Sequence, residues 1–394
     1  MIYSSRFATK NVLKKAYNSA YRLQKCGLAQ LSSNSPSPSI LVTEMQNNSV
    51  LMTLNRPKSL NAVNAEMVSM IYSNLKAIEA STDAIDMVIL KGAGKAFSSG
   101  GDVKTFLDGM QMPEKYEDLN TLLNNTYRSL FRLSTLKVPT VSLMDGLTVG
   151  LGAGFSYCTN FRVATENTLL LMPETTIGHF CDVSSSYYLS RLRGYYGRYL
   201  TLCAERVKAE DLLHAGIITH FVPSNRLDSM VSQLTGLRSS DSNAINQEIS
   251  NFTEDLPTVT RLTTTLDISQ SEKQTLVENC FKYDTVEEII NALELEGSKF
   301  ALRCRSKILS ASPTAVKITL ELLRRASSLS LSECLVLERQ LWATDIGTHD
   351  FVEGCKSMLG KRSPTWFPQR LEDYQAHLER FGKAEALAPL DLSA

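Results

Sequence analysis

Three short stretches hold residue types that can do acyl chemistry. Ser98–Asp102 reads "SSGGD", Gly146–Gly154 reads "GLTVGLGAG", and Leu170–Asp182 reads "LLMPETTIGHFCD". The first two follow apolar runs and precede helical patterns. Small residues there leave backbone N–H groups unobstructed at a helix start, where they attract negative charge. Two such groups converging on one oxygen form an oxyanion hole, worth several kcal/mol to an acyl-transfer transition state. The third stretch supplies two carboxylates, Glu174 and Asp182. A carboxylate beside an oxyanion hole is the usual equipment of acyl-thioester chemistry.

Each stretch has a plainer reading. Glycines also serve close helix–strand packing. Glu174 alone could complement a helix dipole, and Asp182 could cap the helix carrying "SSSYYLSRL". His179, between the two acids, reads as a loop histidine, because no Gly-x-Ser-x-Gly accompanies it. His220, inside an apolar strand, reads as a hydrogen-bonded core residue. The glycine spacing is not a dinucleotide fingerprint, and no phosphate-binding Gly-x-x-x-x-Gly-Lys motif is present.

The elements that must position these residues alternate. "SILVTEM" and "SVLMTLN" read as strands joined by Gln46-Asn47-Asn48, and "AEMVSMIYSNLKAIEAS" as a helix. "DMVILKG" is a buried strand, and a helix is expected near Asp102. "EDLNTLLNNTYRSLFRLSTLK" is amphipathic, "PTVSLMDG" is a strand, and "FRVATENTLLLMPE" holds two short strands. This recurrence points to an α/β layered fold. Beyond about residue 188 the pattern turns helical, with "RYLTLCAERVKAEDLLHAG" ending at Gly216 and "IITHFVP" a strand stopping at Pro223. Residues 235–275 are polar and Ser/Thr-rich. Ser312-Pro313 opens a helix with Val316, Leu320 and Leu323 on its buried stripe.

The 394 residues suffice for one large domain or two smaller ones, and 43% hydrophobic with 21% charged residues is ordinary for a globular protein. Acids and bases balance at 41 each, so net charge does not suggest nucleic acid, and no apolar run approaches a membrane span. The leader differs. Arg6, Lys10, Lys14, Lys15, Arg22 and Lys25 precede the first acid, Glu44, among apolar residues at helical spacing. That is the composition of a mitochondrial transit peptide, the plainer reading being a disordered basic tail. Without those six bases the chain has 41 acids against 35 bases. None of the eight cysteines forms a Cys-x-x-Cys pair or has a histidine at metal-ligand spacing. Reduced structural thiols and no metal site are expected, which fits a mitochondrial matrix.

"LNRPKSLNAVNAEM", "GAGKAFSSGGDVKTF", "DGLTVGLGAGFS", "FRVATENTLLLMPETTIG" and "AGIITHFV" occur in order at the spacing of the crotonase superfamily, which the chain resembles. "YYLSRLRG", "TVEEIINAL", "SPTAVKITL" and "HDFVEG" extend the likeness to its 3-hydroxyisobutyryl-CoA hydrolase family. The resemblance implies a crotonase-type spiral of ββα units with a helical C-terminal portion. The expected division is a leader at 1–38, a spiral core at 39–230, a helical region at 231–370 and a tail at 371–394. It implies hydrolysis of an acyl-CoA thioester, from valine breakdown, with CoA as part of the substrate and no further cofactor. The oxyanion-hole N–H groups map to Gly101 and Leu151. The active acid maps to Glu174, which attacks the thioester or activates water, and a second acid to Asp182. Gly154 stands where hydratases carry a glutamate, which sets a hydratase or isomerase third.

Three positions depart from the family. Leu151 replaces the middle glycine of its "GGG" loop, and a positive φ there would strain leucine by ~1 kcal/mol or more. Thr126, at the substrate-binding position of a family glutamate, carries no charge. The family's Pro-Asp-Val-Gly-Gly/Ala is Cys181-Asp182-Val183-Ser184-Ser185 here. These departures motivate a second reading, a catalytically impaired structural component of the mitochondrial ribosome small subunit. Direct nucleic-acid contact is expected only in that case. No membrane partner is expected, and a homo-oligomer is compatible with either reading.

Overall fold

A computed structural model describes residues 41–81, 84–254, 270–345, 347–373 and 376–394. The leader, Ser39–Ile40 of the expected strand "SILVTEM" and the middle of the polar stretch 235–275 lie outside the described residues. Strands β1 (Leu41–Gln46) and β2 (Ser49–Leu54) form an antiparallel hairpin. Its turn residues, Asn47 and Asn48, have φ of 50° and 74°, as the tight turn demands and asparagine tolerates. Helix α1 (Ala65–Glu79) starts where Asn64 accepts the Met67 N–H at 3.0 Å.

Next come β3 (Met87–Gly92), β4 (Ala96–Ser98), α2 (Val103–Gln111) and α3 (Tyr116–Thr135). Then β5 (Thr140–Met144), β6 (Leu147–Val149) and α4 (Leu151–Tyr157) repeat the unit. A further turn has β7 (Phe161–Ala164), β8 (Leu169–Leu171), a 3-10 turn at Glu174–Ile177 and α5 (Ser185–Leu189). From β3 to β8 successive strands alternate between two sheets. One sheet runs β1-β2-β3-β5-β7-β10, the other β4-β6-β8-β9. Each ββα turn therefore lays one strand beside its predecessor in each sheet, always parallel, and the chain advances as a spiral.

Helix α6 (Tyr196–Leu202) is followed by β9 (Val207–Lys208), α7 (Ala209–His214), β10 (His220–Phe221), α8 (Leu227–Leu237) and α9 (Ser242–Ser250). The run expected as continuous helix to Gly216 is thus broken. Ala204, at φ 42°, reverses the chain, and Val207 pairs antiparallel with Leu170. Gly216, at φ 73°, still ends the final piece.

The larger sheet is covered on both faces, so its central strands β2 and β3 are apolar over most of their length. Val50, Met52, Leu54, Val88 and Leu90 enter the main core. Their alternates Leu51, Met87 and Ile89 meet Met230, Leu234, Ile245 and Ile249 of α8 and α9 in a second core.

The C-terminal portion is helical: α10 (Gln270–Cys280), α11 (Val286–Glu296), α12 (Lys299–Ser310), α13 (Pro313–Ala326), α14 (Leu331–Asp345), α15 (His349–Gly360) and α16 (His377–Glu385). Ser312 caps α13 by accepting the Ala315 N–H at 3.1 Å, with Pro313 in the first turn. The last segment docks. Phe381 and Ala384 are fully buried, Leu392 is buried, and α16 packs on α13 and α14. Arg132 of α3 donates to the carbonyls of Ser393 and Ala394 at 2.7 and 2.9 Å.

The described part of 371–394 is thus part of the packed molecule. Phe381→Ala is expected to cost about 3–5 kcal/mol, the usual loss for a fully buried phenylalanine. Urea denaturation checks this; a loss under about 1 kcal/mol would mean that the segment is not held in the core.

Candidate active site

Strands β4, β6 and β8 are neighbours in the smaller sheet and run parallel, so their carboxyl ends lie side by side. From β4 the chain enters Ser98–Asp102, from β6 Gly150–Leu151, and from β8 the turn with Glu174. The three stretches singled out in the sequence meet for that reason.

The two loops expose their amides in different ways. Val63 forms a parallel bridge to the first, donating to the Gly100 carbonyl at 2.8 Å and accepting the Asp102 N–H at 2.9 Å. The N–H of Gly101, between them, is turned to the other side. In the second loop Gly150 takes φ 48° and ψ −118°, and Leu151 is the first residue of α4. The Gly154 N–H closes on the Gly150 carbonyl at 2.9 Å, which leaves Leu151 among the amides above the first helical turn. A Cβ on Gly100 would stand 3.0 Å from the Val149 carbonyl and 3.7 Å from the Leu151 nitrogen, so the two loops touch.

The positive φ therefore falls on Gly150, and the strain anticipated at Leu151 is absent. The leucine side chain is buried in the main core. Strain appears elsewhere. Val183 and Ser184 have φ of 54° and 71°, a region costly for a β-branched residue. Gly154 accommodates that backbone, since a Cβ on it would stand 2.3 Å from the Val183 carbonyl. A glutamate there has no room.

Glu174 reaches the second loop. A Cβ on Gly150 would stand 2.8 Å from Glu174 Oε1, so the carboxylate rests against the α carbon preceding the Leu151 amide. Burial, reinforced by the negative charge of Asp182, pushes the Glu174 pKa up to about 7. The Cys181 thiol donates to its Oε2 at 3.4 Å. Two glycines hold its turn against α15. A Cβ on Gly178 would stand 2.2 Å from the Asp350 carbonyl, and one on Gly354 would stand 2.1 Å from that of Ile177.

Asp182 is buried and does not cap a helix. Its Oδ2 accepts the Tyr127 hydroxyl at 2.8 Å and the Trp342 indole N–H at 2.6 Å. The cap of α5 comes instead from Glu338 of α14, which accepts the N–H groups of Ser184 at 2.8 Å and Ser186 at 3.2 Å. Burial and the charge of Asp182 raise the Glu338 pKa to about 8. Ser184 of the departing stretch and Ser186 just beyond it thus supply this acid's hydrogen bonds, including that from the Ser186 hydroxyl.

Thr126 donates to the Leu122 carbonyl of its own helix at 2.8 Å. Its neighbour Tyr127 is the α3 residue that touches Asp182. Tyr127, Trp342 and Glu338 escaped the sequence reading, each embedded in an ordinary amphipathic pattern with no local sign of function. His179 is more than a loop histidine: it is 3% exposed, with Nδ1 2.7 Å from Asp345 Oδ2 and Nε2 3.6 Å from Asp182 Oδ2, beyond hydrogen-bond range. His220 is a core residue, with Nδ1 2.9 Å from the Thr219 hydroxyl. All seven described cysteines are free and buried.

Residues 49–380 match the enoyl-CoA hydratase/isomerase family. The 3-hydroxyisobutyryl-CoA hydrolase of Homo sapiens mitochondria is 37% identical over 347 residues, 85% of this chain and 87% of that one. Its Xenopus laevis counterpart is 37% identical over 336 residues, 82% and 83% of the two chains. Among solved structures, a carnitinyl-CoA dehydratase from Mycobacterium thermoresistibile has a TM-score of 0.80 at 27% identity, over 90% of this chain and 99% of that one. An enoyl-CoA hydratase from Rhodobacter sphaeroides has a TM-score of 0.78 at 26% identity, over 90% and 100%. On fold, site geometry and relatedness together, the chain belongs to the enoyl-CoA hydratase/isomerase family, beside its 3-hydroxyisobutyryl-CoA hydrolases.

Proposed function

We propose that this chain hydrolyses a short hydroxyacyl-CoA thioester, 3-hydroxyisobutyryl-CoA, to the free acid and CoA in the mitochondrial matrix. The observation that carries the reading is that the Ser98–Asp102 loop, the Gly150–Leu151 turn and Glu174 come together at the ends of three paired strands. The thioester oxygen takes the two N–H groups, which stabilise the negative charge that develops when the carbonyl is attacked. Glu174 either attacks the carbonyl carbon itself or takes a proton from the attacking water. The tetrahedral intermediate collapses with loss of the CoA thiolate. If Glu174 attacked, water then cleaves the acyl–glutamate anhydride. Asp182, gripped by Tyr127 and Trp342, faces the hydroxyacyl group and orients it. Gly154 supports hydrolysis over hydration, because it provides no second acid and no space for one.

The structural-component reading rested partly on strain at Leu151, which the helical backbone there removes. Co-sedimentation with the mitochondrial ribosome is the observation that would revive it.

Glu174→Gln is expected to lower kcat by about 10²–10⁴-fold, the usual worth of a positioned acid or base, while CoA binding persists. Release of CoA from short acyl-CoAs, followed with a thiol reagent, checks this. Wild-type release no faster than the Glu174→Gln control would sink the hydrolase reading.

The reactive form of Glu174 is the carboxylate, so kcat/KM should rise with pH through an apparent pKa near 7. Below that limb the rate should fall about tenfold per pH unit.

Leu151→Gly tests the strain question. With no positive φ to relieve, it should lose a buried side chain and destabilise by about 2–5 kcal/mol. A stabilised variant would mean that the leucine is strained after all.

A further inference from the structure

His179 takes no part in the hydrolysis as described, yet it lies between two carboxylates. Its Nδ1 is 2.7 Å from Asp345 Oδ2, and its Nε2 is 3.6 Å from Asp182 Oδ2. Asp345 Oδ1 in turn accepts Arg380 Nη1 at 2.8 Å. The ring faces are covered by aromatics: Phe351 stacks at 4.5 Å, with Phe180 and Trp342 at 4.3 Å. Only the ring's nitrogen edges meet polar groups. A neutral imidazole carries one proton, so one of its nitrogens would aim a lone pair at a carboxylate inside this buried site. The imidazolium presents an N–H to each. The partners that hydrogen-bond Asp182, Tyr127 and Trp342, are both neutral donors. Among the described residues, His179 is the basic side chain within 4 Å of the Asp182 carboxylate.

We propose that His179 is a positioning residue of the hydrolysis, a charged link in the line Asp182–His179–Asp345–Arg380 that supplies the counter-charge of Asp182 and fixes that carboxylate against the acyl group. The proposal rests on the hydrolase reading above. The line crosses the molecule, from the site loop through the end of α14 to α16, and ties the C-terminal segment to the chemistry.

The groups that face it come from several elements. Asp182 is on its own loop, Glu174 on the preceding turn, and Asp345 on α14. Cys355 of α15 lies by Asp345, and Asp350 of α15 is engaged by Ser312 and His349. Tyr127 and Glu338 face Asp182 from α3 and α14. Burial works against the charged ring, but Asp182 and Asp345 outweigh it and raise the His179 pKa to about 9. The same positive charge lowers the Glu174 pKa, opposing burial and Asp182. Removing it should therefore move the Glu174 limb to higher pH.

The test is kcat/KM against pH for wild type, His179→Gln and Asp345→Asn, with imidazole 15N spectra of the wild type and Asp345→Asn. In His179→Gln the acid limb should move to higher pH, because the ring's positive charge is one of the influences that hold the Glu174 pKa down. Activity near pH 6 should then fall by several-fold (~2–10) and largely recover above the displaced limb. A uniform loss with the limb in place would reduce His179 to a packing role and overturn the proposal. If His179→Gln does not fold, the spectra decide. A wild-type ring protonated on both nitrogens at pH 8, with its signal displaced in Asp345→Asn, is the expected result. A neutral ring at pH 8 in an enzyme that turns over overturns the proposal alone. A doubly protonated ring in a protein that hydrolyses no acyl-CoA sinks the hydrolase reading, and the positioning role of His179 with it.

Discussion

The parallel pairing of β4, β6 and β8 is the constraint on which the site depends. Parallel neighbours point their carboxyl ends the same way, so whatever follows each strand arrives at one edge of the sheet. Here that brings a bridged glycine loop, a helix start and an acidic turn to the same edge. Between them they carry the amides of Gly101 and Leu151 and the carboxylate of Glu174. The spiral connection makes this arrangement automatic, because every ββα turn adds one strand to each sheet in the same sense. The larger sheet, sealed between two apolar cores, is the frame that holds the smaller one in place.

The site concentrates buried acids. Glu174, Asp182 and Glu338 are each at most 6% exposed, and their charges disfavour one another. Such crowding is costly unless each carboxyl has partners. The hydrogen bonds are divided accordingly. Tyr127 and Trp342 serve Asp182, the Ser184 and Ser186 amides serve Glu338, and Cys181 serves Glu174. The C-terminal helices supply Trp342 and Glu338, and α15 presses backbone against backbone on the Glu174 turn through Gly354. The helical portion is therefore part of the site's wall. Strain settles at Val183 and Ser184, where the chain passes Gly154 and swings Asp182 inward, and backbone strain of this kind clusters at functional sites.

Local chemistry was legible in the sequence. Two asparagines specify the β1–β2 turn, Ser312 caps its helix, and Pro313 begins it; each acts within a few residues of itself. The small-residue loops and the acids Glu174 and Asp182 could be named as candidates because backbone exposure and carboxylate chemistry are local properties. Their joint meaning followed from the family resemblance, which also implied the spiral. Short-range reasoning failed where long-range pairing overrode propensity. Val207–Lys208 became a strand inside a helical pattern because β8 offered it an edge.

What only the tertiary structure decided are the conformations and partners set by distant segments. The helical backbone of Leu151 depends on Gly150 taking the unusual φ, and the strain at Val183 depends on the glycine at 154. Tyr127, Trp342, Glu338 and His179 gained their roles from partners tens to hundreds of residues away. A sequence states which groups a chain carries. Which carboxylate is buried against which donor is set by the packing of segments remote along the chain, and nothing in their own neighbourhood records it.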